Sequence, residues 1–185
     1  DTTSTGTSTN PSVPDCWNFI DSGSGYGYTR ASTPNSGANS FYMYNAGDST
    51  GDYILVSPPI SNVSDGNNRV NFWVDGVASQ DLIVGTMSNP SDATTFTAIQ
   101  TVTLATGDYE NYKINIPIGT DSFIAFKHGQ TGTFDSYYLD DICIEAIPDC
   151  QTPTNIQNIS LTDTTAEFSW DAVSNASVGY NWVVM

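Results

Sequence analysis

Flat aromatic rings set among amides and carboxylates are the first chemistry this chain offers. Tyr26 and Tyr28 lie in the stretch GSGYGYTR, which is too rich in glycine for a core strand. Phe134, Tyr137 and Tyr138 lie in a later loop-to-strand stretch. Sugar rings need such a setting, with stacking on one face and hydrogen bonds at the edges. The same rings could instead pack beneath their own loops. Three readings stay open: a sugar binder, an adhesin for a protein or surface, and a structural spacer. A sugar binder needs exposed aromatics converging in one groove. An adhesin needs a larger, flatter apolar patch, and a spacer needs neither.

Catalytic chemistry has little to work with. His128, in FKHGQ at the end of a strand, is the only histidine, so no nucleophile-histidine-carboxylate set can be assembled convincingly. No HExxH, CxxC or Gly-rich phosphate loop occurs. Carboxylate pairs of the glycosidase kind would arise by chance among 20 acidic residues. The chain reads as non-enzymatic, and a structural role near the loops suits His128.

The charge balance excludes some partners. Four Lys and Arg (Arg30, Arg69, Lys113, Lys127) face 20 Asp and Glu, for a net charge of -16. Such a surface repels phosphate backbones and anionic membranes. It is compatible with divalent cations and with the solubility of an exported protein. No apolar run approaches the roughly 20 residues that span a bilayer.

The elements that must position these groups read as strands. Runs at 41–45, 53–57, 69–75, 81–87, 96–104, 112–118, 122–128 and 137–147 are apolar or aromatic, with turn signals between them at 65–68, 88–92, 106–108, 119–121 and 129–133. With no helical periodicity, this predicts an all-β sandwich. Residues 1–14 are rich in Ser, Thr and Pro and read as a linker. The sandwich spans 15–147. The segment PDCQTP then leads into 148–185, with strands at 166–170 and 179–185. That pattern resembles the opening strands of a fibronectin type III domain, with Trp170 as a buried strand residue and Tyr180 and Trp182 on the next strand. A whole domain of that kind takes about 100 residues, so the chain is expected to continue in its parent protein.

Six stretches carry a wider resemblance: CWNFID (16–21), GDYILVSPPI (51–60), VNFWV (70–74), LIVGTMSNPSDATTF (82–96), FIAFKH (123–128) and YYLDDICI (137–144). In order and spacing they resemble the cleaved-adhesin family, a relative of the MAM-like choice-of-anchor J jelly rolls of Bacteroidetes surface proteins. The resemblance implies a jelly-roll β-sandwich of two antiparallel sheets. It implies secretion, by the type IX route of that phylum, to the exterior or the cell surface. It also implies bound calcium and a non-catalytic adhesion or ligand-binding role within a larger multidomain chain. The ligand would be a glycan or a surface protein, and the module could be a carbohydrate-binding appendage of a secreted hydrolase.

In such a jelly roll the first and last strands pair. That would carry Asp21 toward Asp140 and Asp141, with Asp48 and Asp52 converging from a Gly-rich turn. Calcium takes roughly six to eight oxygens. Because neighbours on a strand point to opposite faces, one of Asp140 and Asp141 would ligate. The family's Asp-rich loop is reduced here to Asp21-Ser22-Gly23-Ser24-Gly25. The same pairing would set Cys16 near Cys150, predicting a disulfide between them, with Cys143 a small buried hydrophobe; Cys16 with Cys143 is the other pairing. For a Bacteroidetes protein, Thr2, Ser49 and Thr164 sit in triplets resembling that phylum's O-glycosylation pattern.

Overall fold

The computed structural model describes residues 4–148 and 154–171, and divides the chain into a unit running to Ala146 and a second from Ile147. In the first unit the strands are β1 (Asn18–Asp21), β2 (Tyr26–Arg30), β3 (Ser40–Tyr44), β4 (Tyr53–Val56), β5 (Asn68–Asp75), β6 (Asp81–Met87), β7 (Thr97–Thr103), β8 (Glu110–Asn115), β9 (Phe123–His128) and β10 (Ser136–Ala146). They form two five-stranded antiparallel sheets, in the orders β1-β4-β9-β6-β7 and β2-β3-β10-β5-β8. This is the all-β jelly-roll sandwich that the sequence predicts.

Alternation builds the core. In β5 the inward Val70, Phe72 and Val74 are fully buried, while Asn71, Trp73 and Asp75 face out. Phe72 meets Phe126 of the facing sheet edge-on at 5.0 Å, a pair worth roughly 0.5–1.5 kcal/mol beyond its buried area. In β2 the inward positions are Gly27 and Thr29. A Cβ on Gly27 would come within 2.7 Å of Phe19, whose ring packs on Phe41. Glycine there makes room for two phenylalanines, so the stretch read as a loop is a strand.

Three expectations change. The strand β1 pairs with β4, not with the last strand; Asp21 lies opposite Tyr53. The last strand of the unit, β10, runs between β3 and β5 in the other sheet. Second, a β-bulge between Asp140 and Cys143 places one extra residue opposite β5, with Asp141 at φ 49°. A bulge reverses the faces of everything beyond it. Ile142 and Ile144 therefore pack against the core and Cys143 is exposed rather than buried. Third, the segment read as a linker lies along β2. The N–H of Gly6 donates to the Thr29 carbonyl (2.8 Å), the N–H of Thr29 donates to the Ser12 carbonyl (2.7 Å), and Val13 packs on the core.

The second unit shows a two-stranded ribbon of β11 (Thr154–Leu161) and β12 (Ala166–Asp171). Trp170, expected to be buried, is 37% exposed; among the described residues the unit has these two strands. The strand expected at 179–185, with Tyr180 and Trp182, lies outside the described residues.

Candidate functional site

The outer face of the β2-β3-β10-β5-β8 sheet gathers the aromatic side chains. Alternation sends Tyr26, Tyr28 and Arg30 outward from β2, Tyr42 and Tyr44 from β3, and Tyr138 from β10. Register then sets them side by side, Tyr26 opposite Tyr44, Tyr28 opposite Tyr42, and Tyr42 opposite Tyr138. Ring centroids lie 5.3 Å apart for Tyr26 and Tyr44, 5.6 Å for Tyr28 and Tyr42, and 5.0 Å for Tyr42 and Tyr138. From the loop before β10, Phe134 stacks on Tyr44 at 6.5 Å and stays 67% exposed. The result is one continuous aromatic floor, each tyrosine half-buried against its neighbours.

One cation is built into it. The Arg30 guanidinium lies over the Tyr42 ring at 5.1 Å and the Tyr138 ring at 5.9 Å, both within cation–π range. Burial, and then the neighbouring Tyr26, push the Tyr42 phenol up to about 12. The Tyr42 phenol therefore stays uncharged far above neutral pH. Further along, Trp73 lies opposite Asp140 on one side and Asn111 on the other. Tyr109 borders the array, donating to the Thr33 carbonyl at 2.6 Å, and burial raises its pKa. Planar rings edged by amide, carboxylate and guanidinium can stack on a ligand's apolar faces and hydrogen-bond its rim.

Of the predicted aromatic residues, Tyr26, Tyr28 and Tyr138 lie on this floor and Phe134 at its end. Tyr137 does not. It points inward, is fully buried, and its hydroxyl donates to the Asp81 carbonyl at 2.6 Å. Sequence reasoning missed Tyr42, Tyr44 and Arg30. The signal was present as Tyr-x-Tyr in 42–44 and Tyr-x-Tyr-x-Arg in 26–30, the period of a strand face.

The five aspartates do not form one cage. Asp21 precedes the Tyr26 end of β2, whereas Asp140 is level with Ser40 and Arg30 at the other end. Asp48 accepts from the N–H groups of Ser24, Thr50 and Gly51 and from the hydroxyls of Thr50 and Tyr53. These donors, the Thr50 N–H first, hold its carboxyl well below the usual range. Asp52 pairs with Lys127 at 2.6 Å. The bulge turns both Asp140 and Asp141 toward one loop. Asp140 accepts from the N–H groups of Asn35 and Ser36, and Asp141 from their side chains. Among the described residues no three acidic, His or Cys side chains converge as metal ligands. The carboxylates are divided between two places, so the five do not make the single calcium cage that the strand pairing implied.

The remaining assignments fall as follows. Cys16 and Cys143 are free thiols, both exposed, and Cys150 lies outside the described residues. The strand pairing that would have joined Cys16 to Cys150 is replaced by β1 with β4. Ser49 is exposed beside Asp48, Thr164 is exposed in the β11–β12 turn, and Thr2 lies outside the described residues. His128 is buried with both ring nitrogens engaged. Nδ1 accepts from the Gln130 N–H at 2.9 Å, so Nε2 donates to the Asp135 carbonyl at 3.0 Å. Burial lowers its pKa, and it acts as a pin for the 129–135 loop. No described helix is long and apolar enough to cross a membrane.

Neither a family model nor a curated protein matches the chain. Solved structures do. The K1 cleaved adhesin domain of Lys-gingipain from Porphyromonas gingivalis W83 aligns with a TM-score of 0.57 at 22% identity, covering 80% of this chain and 100% of that one. The K2 cleaved adhesin domain of Lys-gingipain aligns at 0.56 and 17%, covering 70% and 89%. The C-terminal family 22 carbohydrate-binding module of Clostridium thermocellum Xyn10B aligns at 0.52 and 12%, covering 72% and 88%. At these identities the likeness is one of fold: the chain shares its jelly-roll sandwich with cleaved adhesin domains and with a carbohydrate-binding module.

Proposed function

We propose that the chain is a non-catalytic module of a secreted or surface-borne protein, and that the tyrosine floor binds a neutral glycan chain. The observation that carries this reading is the floor itself: five tyrosines on three adjacent strands, rings in mutual contact, on an outer face that stays half open. A flat array of that kind matches successive sugar rings better than it matches a single small molecule. Stacking on tyrosine uses the weakly polar C–H faces of the sugar, while Arg30 and the Asn111 and Asp75 edges meet its hydroxyls. A net charge of -16 repels uronic, sialylated and sulfated chains, which narrows the ligand to neutral glycans. Export and multidomain context are supported by the acidic, Ser- and Thr-rich composition and by the fold shared with adhesin domains.

The test is affinity electrophoresis of the chain against neutral glucans, xylans, mannans and galactans, followed by calorimetry on any that retard it. Retardation that is lost in a Tyr28→Ala, Tyr44→Ala double variant that remains folded at the assay temperature supports the reading. Identical migration of both proteins in every gel overturns it.

A further inference from the structure

A second concavity lies away from the floor, at the bulge of β10. It is an open cleft of about 160 Å³, lined by Trp17, by Leu139 and by the bulge residues Asp140, Asp141 and Ile142. Thr29 lines it from β2. Its side chain is directed inward and is 2% exposed, and its hydroxyl has no hydrogen-bond partner. The backbone of Thr29 is fully served by Ser12 and Gly6, so the strand does not need that hydroxyl. A valine would fill the same space without leaving a buried polar atom unmet.

The mouth offers acceptors. Each Asp141 oxygen takes one protein donor, Ser36 Oγ at 2.5 Å and Asn35 Nδ2 at 2.8 Å, and keeps a lone pair for another. Asp140 is anchored by backbone N–H groups, including that of Asp141 at 2.8 Å. The Trp17 indole and Ile142 supply apolar surface to the same cleft. We propose that this cleft is a second binding site, which takes one neutral pyranose ring such as the end residue of a glycan. The carboxylates and Thr29 Oγ1 would meet hydroxyl groups, and Trp17 would cover the apolar face. The cleft is small enough to favour a single ring over a chain lying along it, and two carboxylates disfavour acidic sugars. The site is separate from the floor and does not depend on chain binding there.

The experiment is a 1H–15N titration of the whole chain with the methyl glycosides of glucose, galactose, mannose and N-acetylglucosamine. Saturable shifts at the Trp17 indole N–H and the Thr29 and Ile142 amides are expected with at least one of them. Affinity should drop about tenfold or more in Thr29→Val, whose melting temperature should match or exceed that of the parent. The exposed Asp141→Asn should weaken binding in the same direction, and Tyr28→Ala with Tyr44→Ala should leave it intact. Linear, unsaturating shifts with all four sugars, or equal binding by Thr29→Val, overturn the cleft proposal whatever the floor does. Saturable cleft shifts without any polysaccharide binding would uphold the cleft and sink the floor.

Discussion

The outer faces of the two sheets met the same problem and resolved it differently. Both carry large apolar side chains. On the β1-β4-β9-β6-β7 sheet these are aliphatic: Ile54, Val56, Met87 and Ala125 are fully buried there, flanked by Ile20 and Phe123. The chain seals them with its own loop. Phe96 and Ala93 pack onto the patch from a 3₁₀ turn at Ala93–Thr95, capped by Asp92, and Asn18 on β1 donates to the Pro90 carbonyl to hold the cover down. A Cβ on Gly85 would come near the Thr97 carbonyl oxygen first and lie 2.7 Å from the Phe96 ring, so glycine lets both the neighbouring strand and the cover sit close. The other sheet displays tyrosines, and no comparable loop covers them among the described residues. A phenol keeps its hydroxyl in water while its ring packs sideways, so an uncovered tyrosine face costs far less than an uncovered aliphatic one. The difference separates a face built for stability from a face available for binding.

That contrast can be broken by mutation. The largest effect on stability is expected from Met87→Ala beneath the cover, a loss of about 2–5 kcal/mol in denaturant unfolding. Tyr28→Ala on the open face should cost less than half as much; equal losses would make the tyrosines a structural cover and end the distinction. Gly85→Val should follow, destabilising by about 1–3 kcal/mol as the Thr97 carbonyl and Phe96 are forced outward, with a gain in apolar dye binding. An undiminished stability would mean that the cover is not seated on the sheet. Single Tyr28→Ala or Tyr44→Ala changes should weaken glycan binding about tenfold, or about 1.4 kcal/mol, in calorimetry.

A smaller effect tests the loop that holds Phe134 against Tyr44 at the end of the floor. Burial lowers the pKa of His128, so the native state prefers the neutral ring. Its contribution to stability is complete above the ordinary histidine value of 6.5 and is lost as pH falls below it toward the lowered folded value. Relative to the parent, His128→Gln should therefore show a flatter fall in melting temperature below pH 6.5. Parallel curves would show that the ring does not titrate with unfolding. The smallest effect is expected from calcium: melting temperatures with calcium and with chelator should agree within error, since Asp48, Asp52, Asp140 and Asp141 already have protein partners. A shift of several degrees would show that those partners give way to the ion.

Local pattern made much of this legible. Apolar and aromatic runs at 69–75 and 81–87, set between turn signals, located strands β5 and β6. The turn-rich spacing gave an all-β sandwich. Tyr-x-Tyr in β3 was equally readable as a face, though only the flanking Tyr26, Tyr28 and Tyr138 drew notice. Other features needed partners far away in the chain. Whether β1 joins β4 or the last strand is a choice between non-local pairings, and it alone decided that Asp21 and Asp140 lie at opposite ends. The bulge at Asp140–Cys143 exists only relative to β5. It turned Cys143 outward, brought Asp140 and Asp141 to one loop, and opened the cleft beside Trp17. A strand's sequence fixes the period of its side chains; the neighbour across the ladder fixes their phase, and the phase determines which groups meet.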